Sequence, residues 1–452
     1  MILSITENAK EYLNRKVSVV IASLLGAWIM SFPYEGQLLY TLAKSYGVES
    51  AGILDVSLAM LVVGLVAGGI FIRSIQMAKR VLVISIPLCM FLTVTFLFET
   101  YAIWTITLAA CATTAGMCIT ACGHFIQKEI EPENRFRTAA ETLICIFILR
   151  MVISNISLYI SIQAGIAFIL LILGAAWYLT LQMLDLTYKK SVLRVFDKKI
   201  ALKALLVLFL FIMIVAIDYG IMTQIINPKY VSYEWLTSWY WLFPYVGSAC
   251  IMRQIRKEDN RNNLLYLAIG LIGFGFVLFL MLDYSISSYL IVSTVMMGAW
   301  AIFDVFWWSK LAEMFEMAKN PAVLFSVGFS ALMFGVLTGK LIAENNVIIP
   351  HFSLYVVPMA VICSTMVLLP VLHRFLSSMI KKNTELQAVS NNTEALTERE
   401  RQIVALLLKG RTYKLISAEL HVSENTVKTH IKNIYSKLGV SSKAELFNYI
   451  ME

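Results

Sequence analysis

Charge is scarce in this sequence. Asp, Glu, Lys and Arg make up 15% of its 452 residues, against 59% hydrophobic residues, and mean hydropathy is +0.75. That balance excludes a single ordinary soluble domain. The scarcity is also uneven: residues 17–376 hold the long apolar runs, and residues 377–452 hold none. Two such regimes in one chain imply at least two domains. No small-residue cleavage site follows the polar lead of residues 1–16, so the first apolar run reads as a membrane span and not as a removable signal.

Other absences exclude chemistry. The seven cysteines sit inside apolar runs with no C-x-x-C pair, which predicts packed thiols and no metal site. No phosphate-cradling Gly loop, His/Cys/Asp ligand spacing or nucleophile turn is present, so no enzyme activity and no cofactor are expected. No βαβ stretch precedes the C-terminal segment, which argues against a phosphorelay receiver.

What the chain does have is spans. A helix needs about 20 apolar residues to cross a bilayer core. Runs of that kind start near Val17, Gly52, Val81, Tyr101, Ala139, Ile160, Ala204, Tyr233, Leu264, Tyr289, Ala322 and Phe352. Lys and Arg test the count independently, because cytoplasmic loops collect them. With the N-terminus inside, twenty-four fall in inside loops and three (Lys44, Lys229, Lys340) outside. One missed span would destroy that bias, so both termini are expected in the cytoplasm.

Runs one to six and seven to twelve are offset by about 185 residues, and the longest basic inside loop, residues 185–203, falls between them. The fold expected is all-α: a polytopic bundle of about twelve helices over residues 17–376, with halves 17–184 and 204–376. This layout resembles the major facilitator superfamily. That family's loop after the second span is incomplete here: Gly68, Gly69, Arg73, Lys79 and Arg80 remain, but its Asp and second Gly are missing. The resemblance implies a central cavity lined by spans one, four, seven and ten.

Ionisable groups at membrane depth are costly and are functional candidates by default. Arg150, Asp218 and Asp304 lie within spans, while Glu141 and Glu35 lie near span ends. With Trp28, Trp104 and Trp300 they suggest a midplane pocket for an unknown small organic ligand. The alternative is that the charges pair between helices and the indoles anchor the interface.

Residues 377–395 read as a polar linker, and 396–452 read as four helices. Thr397-x-x-Glu400 is a capping box; Ile403, Val404, Leu406 and Leu407 give an apolar face, and Gly410 stops the helix. Thr412 caps a short second helix with Leu415, Ile416 and Leu420. Ser423 caps a third, whose Val427, Ile431, Ile434 and Leu438 recur at helical spacing. Ser442-x-x-Glu445 opens a fourth.

From Leu396 to about Tyr449 these residues resemble the LuxR/FixJ-type helix-turn-helix, with Thr426-Val427-Lys428-x-His430 surviving intact. Gln402, Tyr413, Leu415-Ile416-Ser417 and Lys443 depart from its pattern. The resemblance implies a bacterial protein of the inner membrane that binds double-stranded DNA. Lys428 and Lys432 would contact bases or phosphates, and Thr426 and Val427 would sit at the groove edge. Asn425 and Thr429 would face outward beside Lys428 and Lys432, where such a helix meets base edges; Ser423 would reach a phosphate, and Thr412, Lys414 and Lys443 complete the candidate DNA-binding set. The last helix would be the homodimer face on two half-sites, and RNA polymerase is a possible partner. Two functions stay open: a one-component membrane regulator, or a facilitator-type transporter with a regulatory DNA-binding tail.

Overall fold

The computed structural model describes residues 2–34, 36–45, 50–98, 101–130, 134–183, 198–255, 258–314, 320–344, 356–391, 396–408, 410–420, 422–443, 445, 446 and 449. The chain divides into two compact units, one taking the bundle up to residue 370 and the other the segment from residue 371 together with 194–204.

Among its described residues the bundle is built of helices joined by short turns, with no strand. In order it comprises α1 (Ile2–Ser31), α2 (Gln37–Ser45), α3 (Ser50–Phe71), α4 (Ile75–Val94), α5 (Tyr101–Glu129), α6 (Arg135–Tyr159) and α7 (Ile162–Gln182). Then come α8 (Lys198–Ile221), α9 (Asn227–Lys229), α10 (Glu234–Thr237), α11 (Leu242–Gln254), α12 (Glu258–Met281), α13 (Ile286–Glu313), α14 (Pro321–Glu344) and α15 (Val357–Asn391). Among the described residues nine helices are long and apolar enough to span a membrane, and shorter apolar segments fill Lys16–Ser31 and Asp55–Phe71. The eighth predicted run departs from a single helix. It is broken into a 3-10 turn at Val231–Tyr233, α10, and a turn before the 13-residue α11. The central loop expected at 185–203 lies largely outside the described residues, as does Glu35.

Serine hydroxyls start several helices. Ser74, Ser161 and Ser285 accept the N–H of Met77, Ala164 and Ser288 at the starts of α4, α7 and α13. Inside the helices, Thr93, Thr107 and Thr142 donate to the carbonyls of Cys89, Ile103 and Thr138, so these hydroxyls are satisfied without water. The outward faces carry side chains such as Ile84, Phe91, Ile106, Leu171 and Val367, an apolar surface suited to lipid tails.

Helices α3 and α5 cross at backbone contact. A Cβ on Gly64 would stand 1.9 Å from the Thr113 carbonyl oxygen, and one on Gly116 would stand 2.5 Å from that of Leu61. Small residues at such crossings let van der Waals packing hold helices together in lipid. The two halves meet where α14 packs on α3 and α5, and where α11 and α13 pack on α6. Polar links cross the same seam. Lys340 pairs with Asp55 at 3.2 Å, Arg253 with Glu141 at 2.8 Å, and Arg135 donates to the Ala312 carbonyl at 3.0 Å. Asn320 donates to the Ile72 carbonyl at 2.8 Å.

The second unit contains α16 (Glu398–Leu408), α17 (Tyr413–Leu420) and α18 (Glu424–Leu438). The expected linker 377–395 begins as a helix off the last span: α15 runs on to Asn391, and residues 392–395 lie outside the described set. One small core joins Leu396, Ile403, Val404, Leu406, Leu407, Ile416, Val427, Ile431, Ile434, Leu438 and Leu446.

Candidate nucleic-acid interface and central cavity

The capping box forms as its spacing requires. Thr397 donates through its N–H to Glu400 Oε2 at 2.7 Å and through its hydroxyl at 2.9 Å, while Glu400 N–H returns to Thr397 Oγ1 at 3.4 Å. Lys437 reaches the same Oε2 at 2.7 Å. Burial pulls the Glu400 carboxyl upward, but Lys437 and Thr397 outweigh it and hold the group below its usual range. Gly410 (φ 75°) and Gly439 (φ 67°) take the left-handed conformation. At Gly439 this closes α18, and Val440 N–H returns to the Tyr435 carbonyl at 3.0 Å.

Ser423 starts α18. Its Oγ accepts Thr426 N–H at 3.1 Å and meets Thr426 Oγ1 at 2.8 Å. Thr412 caps α17 more loosely, through Leu415 N–H at 3.4 Å. At the last predicted helix the N-terminal bonds come from two serines. Glu445 N–H donates to Ser442 Oγ at 3.1 Å, and Ser441 N–H donates to the Glu445 carboxylate at 2.8 Å. That carboxyl is held below its usual range, first by the Ser441 hydroxyl. Phe447 and Ile450, apolar positions of that helix in the sequence, lie outside the described residues.

The outer face of α18 is the candidate interface. Asn425, Thr426, Lys428, Thr429 and Lys432 are exposed on it, with Ser423 exposed at its start. Thr412, Lys414 and Lys443 are exposed as well. Val427 does not belong with them. It is 0% exposed, inside the core with Ile403 and Ile434, so its contribution is to packing and not to a groove contact. Of the apolar residues expected on α17, Ile416 turns inward, while Leu415 is 49% exposed.

In the bundle, side chains of α1, α3, α5, α6, α13 and α14 line a largely apolar cavity. Spans one, four and ten contribute as expected. Span seven does not, and spans two, five and eleven take its place. Of the six candidate ligand residues, only Asp304 lines it. Its Oδ2 accepts from Tyr245 Oη at 2.8 Å and its Oδ1 from Trp307 Nε1 at 3.0 Å.

The other five sit elsewhere. Arg150 lies over the rings of Phe147 and Trp241, 5.8 and 5.4 Å from their centroids. Trp104 donates to the Phe98 carbonyl at 2.8 Å and packs on Phe96. Trp300 packs against Tyr219 and Phe303. Trp28 and Asp218 are fully buried in helix packing, away from the lining. The cavity wall instead contains Trp307, Trp308, Phe147, Phe325 and Phe329, which sequence reasoning missed. Trp307 lies three residues after Asp304, a helical neighbour that the spacing alone could have found.

Comparison with known proteins separates the two units. Residues 394–450 match the family described as bacterial regulatory proteins, luxR family. A putative HTH-type transcriptional regulator of Aeromonas salmonicida is 41% identical over 75 residues, 17% of this chain and 38% of that protein. The probable transcriptional regulatory protein SgaR of Hyphomicrobium methylovorum is 53% identical over 51 residues, 11% of this chain and 24% of its own length. The regulatory protein LiaR of Bacillus subtilis is 48% identical over 56 residues, 12% and 26% of the two chains. The chain therefore spans well under half the length of each of these relatives.

Solved structures match the remainder. The proton:xylose symporter XylE, a major facilitator superfamily protein, superposes with a TM-score of 0.62 at 11% identity, covering 82% of this chain and 96% of that one. The human organic anion transporter MFSD10 gives 0.57 at 12% identity, covering 81% and 99%. At such identity the likeness speaks for the fold alone. The chain is a multi-pass membrane protein that joins a bundle of the major facilitator fold to a C-terminal helix-turn-helix domain of the luxR family.

Proposed function

We propose that this protein is a membrane-bound one-component transcription regulator. The bundle senses a small molecule, and the C-terminal domain binds double-stranded DNA and controls transcription. The observation that carries the reading is α18. Its capped, polar and doubly basic face is exposed, its apolar face is consumed by the core, and it belongs to the same chain as the membrane bundle. A helix so built meets base edges with its N-terminal half, where Asn425, Thr426, Lys428, Thr429 and Lys432 stand. The named relatives are transcriptional regulators, which supports the same assignment.

The rest of the reading is a physical consequence. The segment from Glu394 carries nine basic and seven acidic side chains, so a single domain should bind weakly. Two copies on two half-sites, paired through the last helix, raise affinity to a useful level. The Lys/Arg bias favours both termini in the cytoplasm of a bacterial inner membrane, where the domain reaches DNA and RNA polymerase. Ligand binding shifts the bundle between states and so changes whether two domains can pair. No catalytic step and no cofactor are part of this scheme.

The test is to crosslink the full-length protein to its own genome and sequence the bound DNA. Discrete peaks that vanish in a Lys428→Ala/Lys432→Ala variant are expected. Protein present in the membrane with no peaks above background would remove the regulator reading and point to transport.

A further inference from the structure

We propose that the central cavity takes a lipophilic organic cation, with Asp304 as its counter-ion. This rests on the reading of the bundle as a ligand-responsive domain and names the class of ligand. Asp304 is the one carboxylate among the lining residues, no basic side chain joins it there, and the remaining wall is almost wholly apolar. Both carboxylate oxygens are engaged by neutral donors, Tyr245 Oη and Trp307 Nε1. A carboxylate accepts at about four lone-pair positions, so two donors fix its orientation and leave acceptor capacity unused. Among the described residues no cation pairs with it. Arg150 is engaged with the rings of Phe147 and Trp241 and is absent from the lining.

The walls fit the same class. Trp307, Trp308, Phe325 and Phe329 pack around one another, with centroids 5.1 to 5.9 Å apart for Trp307–Trp308, Trp307–Phe329, Trp308–Phe329 and Phe325–Phe329. Aromatic faces carry a negative quadrupole that attracts organic cations, most strongly where water is excluded. Met30, Leu332 and Met333 complete an apolar surface for the body of the molecule. A polyol would leave most of its hydroxyls without partners here. An anion would face a like charge, with no basic group among the lining residues to offset it.

The experiment uses full-length protein in nanodiscs of zwitterionic lipid and two probes of the same shape, tetraphenylphosphonium and tetraphenylborate. Saturable phosphonium binding is expected, and borate should not displace it. Asp304→Asn should weaken phosphonium binding by at least about tenfold. Ile119→Trp, which fills the cavity without touching Asp304, should weaken it as well, while Asp218→Asn should leave it unchanged.

Equal binding of the borate, or unchanged affinity in both Asp304→Asn and Ile119→Trp, overturns the proposal. If Asp304→Asn does not fold, the charge preference of the unaltered protein and the Ile119→Trp variant decide it. DNA occupancy measured on the same preparation separates the two readings. A phosphonium site with DNA occupancy absent both with and without the phosphonium, or unchanged by it, removes the regulatory reading but keeps the ligand class. A DNA response to another class of compound, with no phosphonium site, removes only the ligand class.

Discussion

Lys437 near the end of α18 reaches the carboxylate of Glu400 in the first turn of α16 at 2.7 Å, so the far end of α18 is pinned to the helix that opens the domain. The same Glu400 oxygen closes the capping box with Thr397. One buried carboxylate therefore serves both the start of one helix and the placement of another.

That arrangement fixes an acid response. Glu400 has its folded-state value depressed, so its stabilisation is fully present above the unfolded value of about 4.3. It is lost as pH falls through the lower folded value. Thermal melts of the C-terminal domain should be flat near neutrality and fall below about pH 4, and Glu400→Gln should make that slope shallower, leaving the part owed to Glu445. Lys437→Met, removing a half-exposed partner, should cost about 1 kcal/mol at pH 7. Identical acid slopes in wild type and Glu400→Gln would sink the assignment.

The exposed face of α18 predicts two kinds of loss. A lysine that reads a base costs about 1–3 kcal/mol on its own operator and relaxes specificity at one position. A lysine on phosphate weakens all sequences alike and lowers the salt slope by about 1. Lys428, nearer the helix start, is expected to behave as the first and Lys432 as the second. Salt titrations of both alanine variants in gel shifts decide it, and unchanged binding for either removes that residue from the interface.

Val427 and Leu415 should divide stability from surface. Val427→Ala opens a hole in a sealed core and should cost about 1.5–3 kcal/mol of domain stability. Leu415→Ala, on an exposed position, should stay within about 0.5 kcal/mol. Denaturant melts measure both, and a larger loss at Leu415 than at Val427 would mean that Leu415 faces the core and Val427 the surface.

These two residues also show what the sequence reveals and what it conceals. Caps, stop glycines and the Val427, Ile431, Ile434 and Leu438 spacing were legible, because each is a local rule with a side chain of fixed type. Leu415 and Ile416 are both apolar, yet neighbours on a helix stand about 100° apart, and only packing against α18 selects the second. The bundle repeats the lesson. Hydropathy and the Lys/Arg bias marked the spans, but rotation about each axis was open. Polarity alone could not say that Asp304 turns to the cavity while Asp218, Trp28 and Trp300 turn into helix contacts.

Backbone contact between α3 and α5 should be intolerant of side chains. Gly64→Leu or Gly116→Leu would force those helices apart along a crossing with no room for a Cβ. A loss above about 3 kcal/mol, seen as failure to accumulate in the membrane or as a collapsed melting temperature in detergent, is expected. Gly247→Ala is the control, since its added Cβ meets nothing within 4 Å. Wild-type accumulation of Gly64→Leu would show that the crossing is looser than its geometry.

The link between Lys340 and Asp55 makes a prediction about motion. Lys340 is buried in α14, Asp55 is at the start of α3, and their bond joins the two halves of the bundle across one end. Lys340→Met removes the attraction and leaves a half-exposed carboxylate that water can solvate. The ends of α3 and α14 should then separate more often, by a shift of about 1–2 kcal/mol in the closed-to-open balance. Hydrogen exchange would report it as faster exchange over residues 55–61 and 336–344, with residues 396–440 unchanged. Exchange that stays at the wild-type rate in both bundle segments would mean that packing of α14 on α3, and not the ion pair, holds this end together.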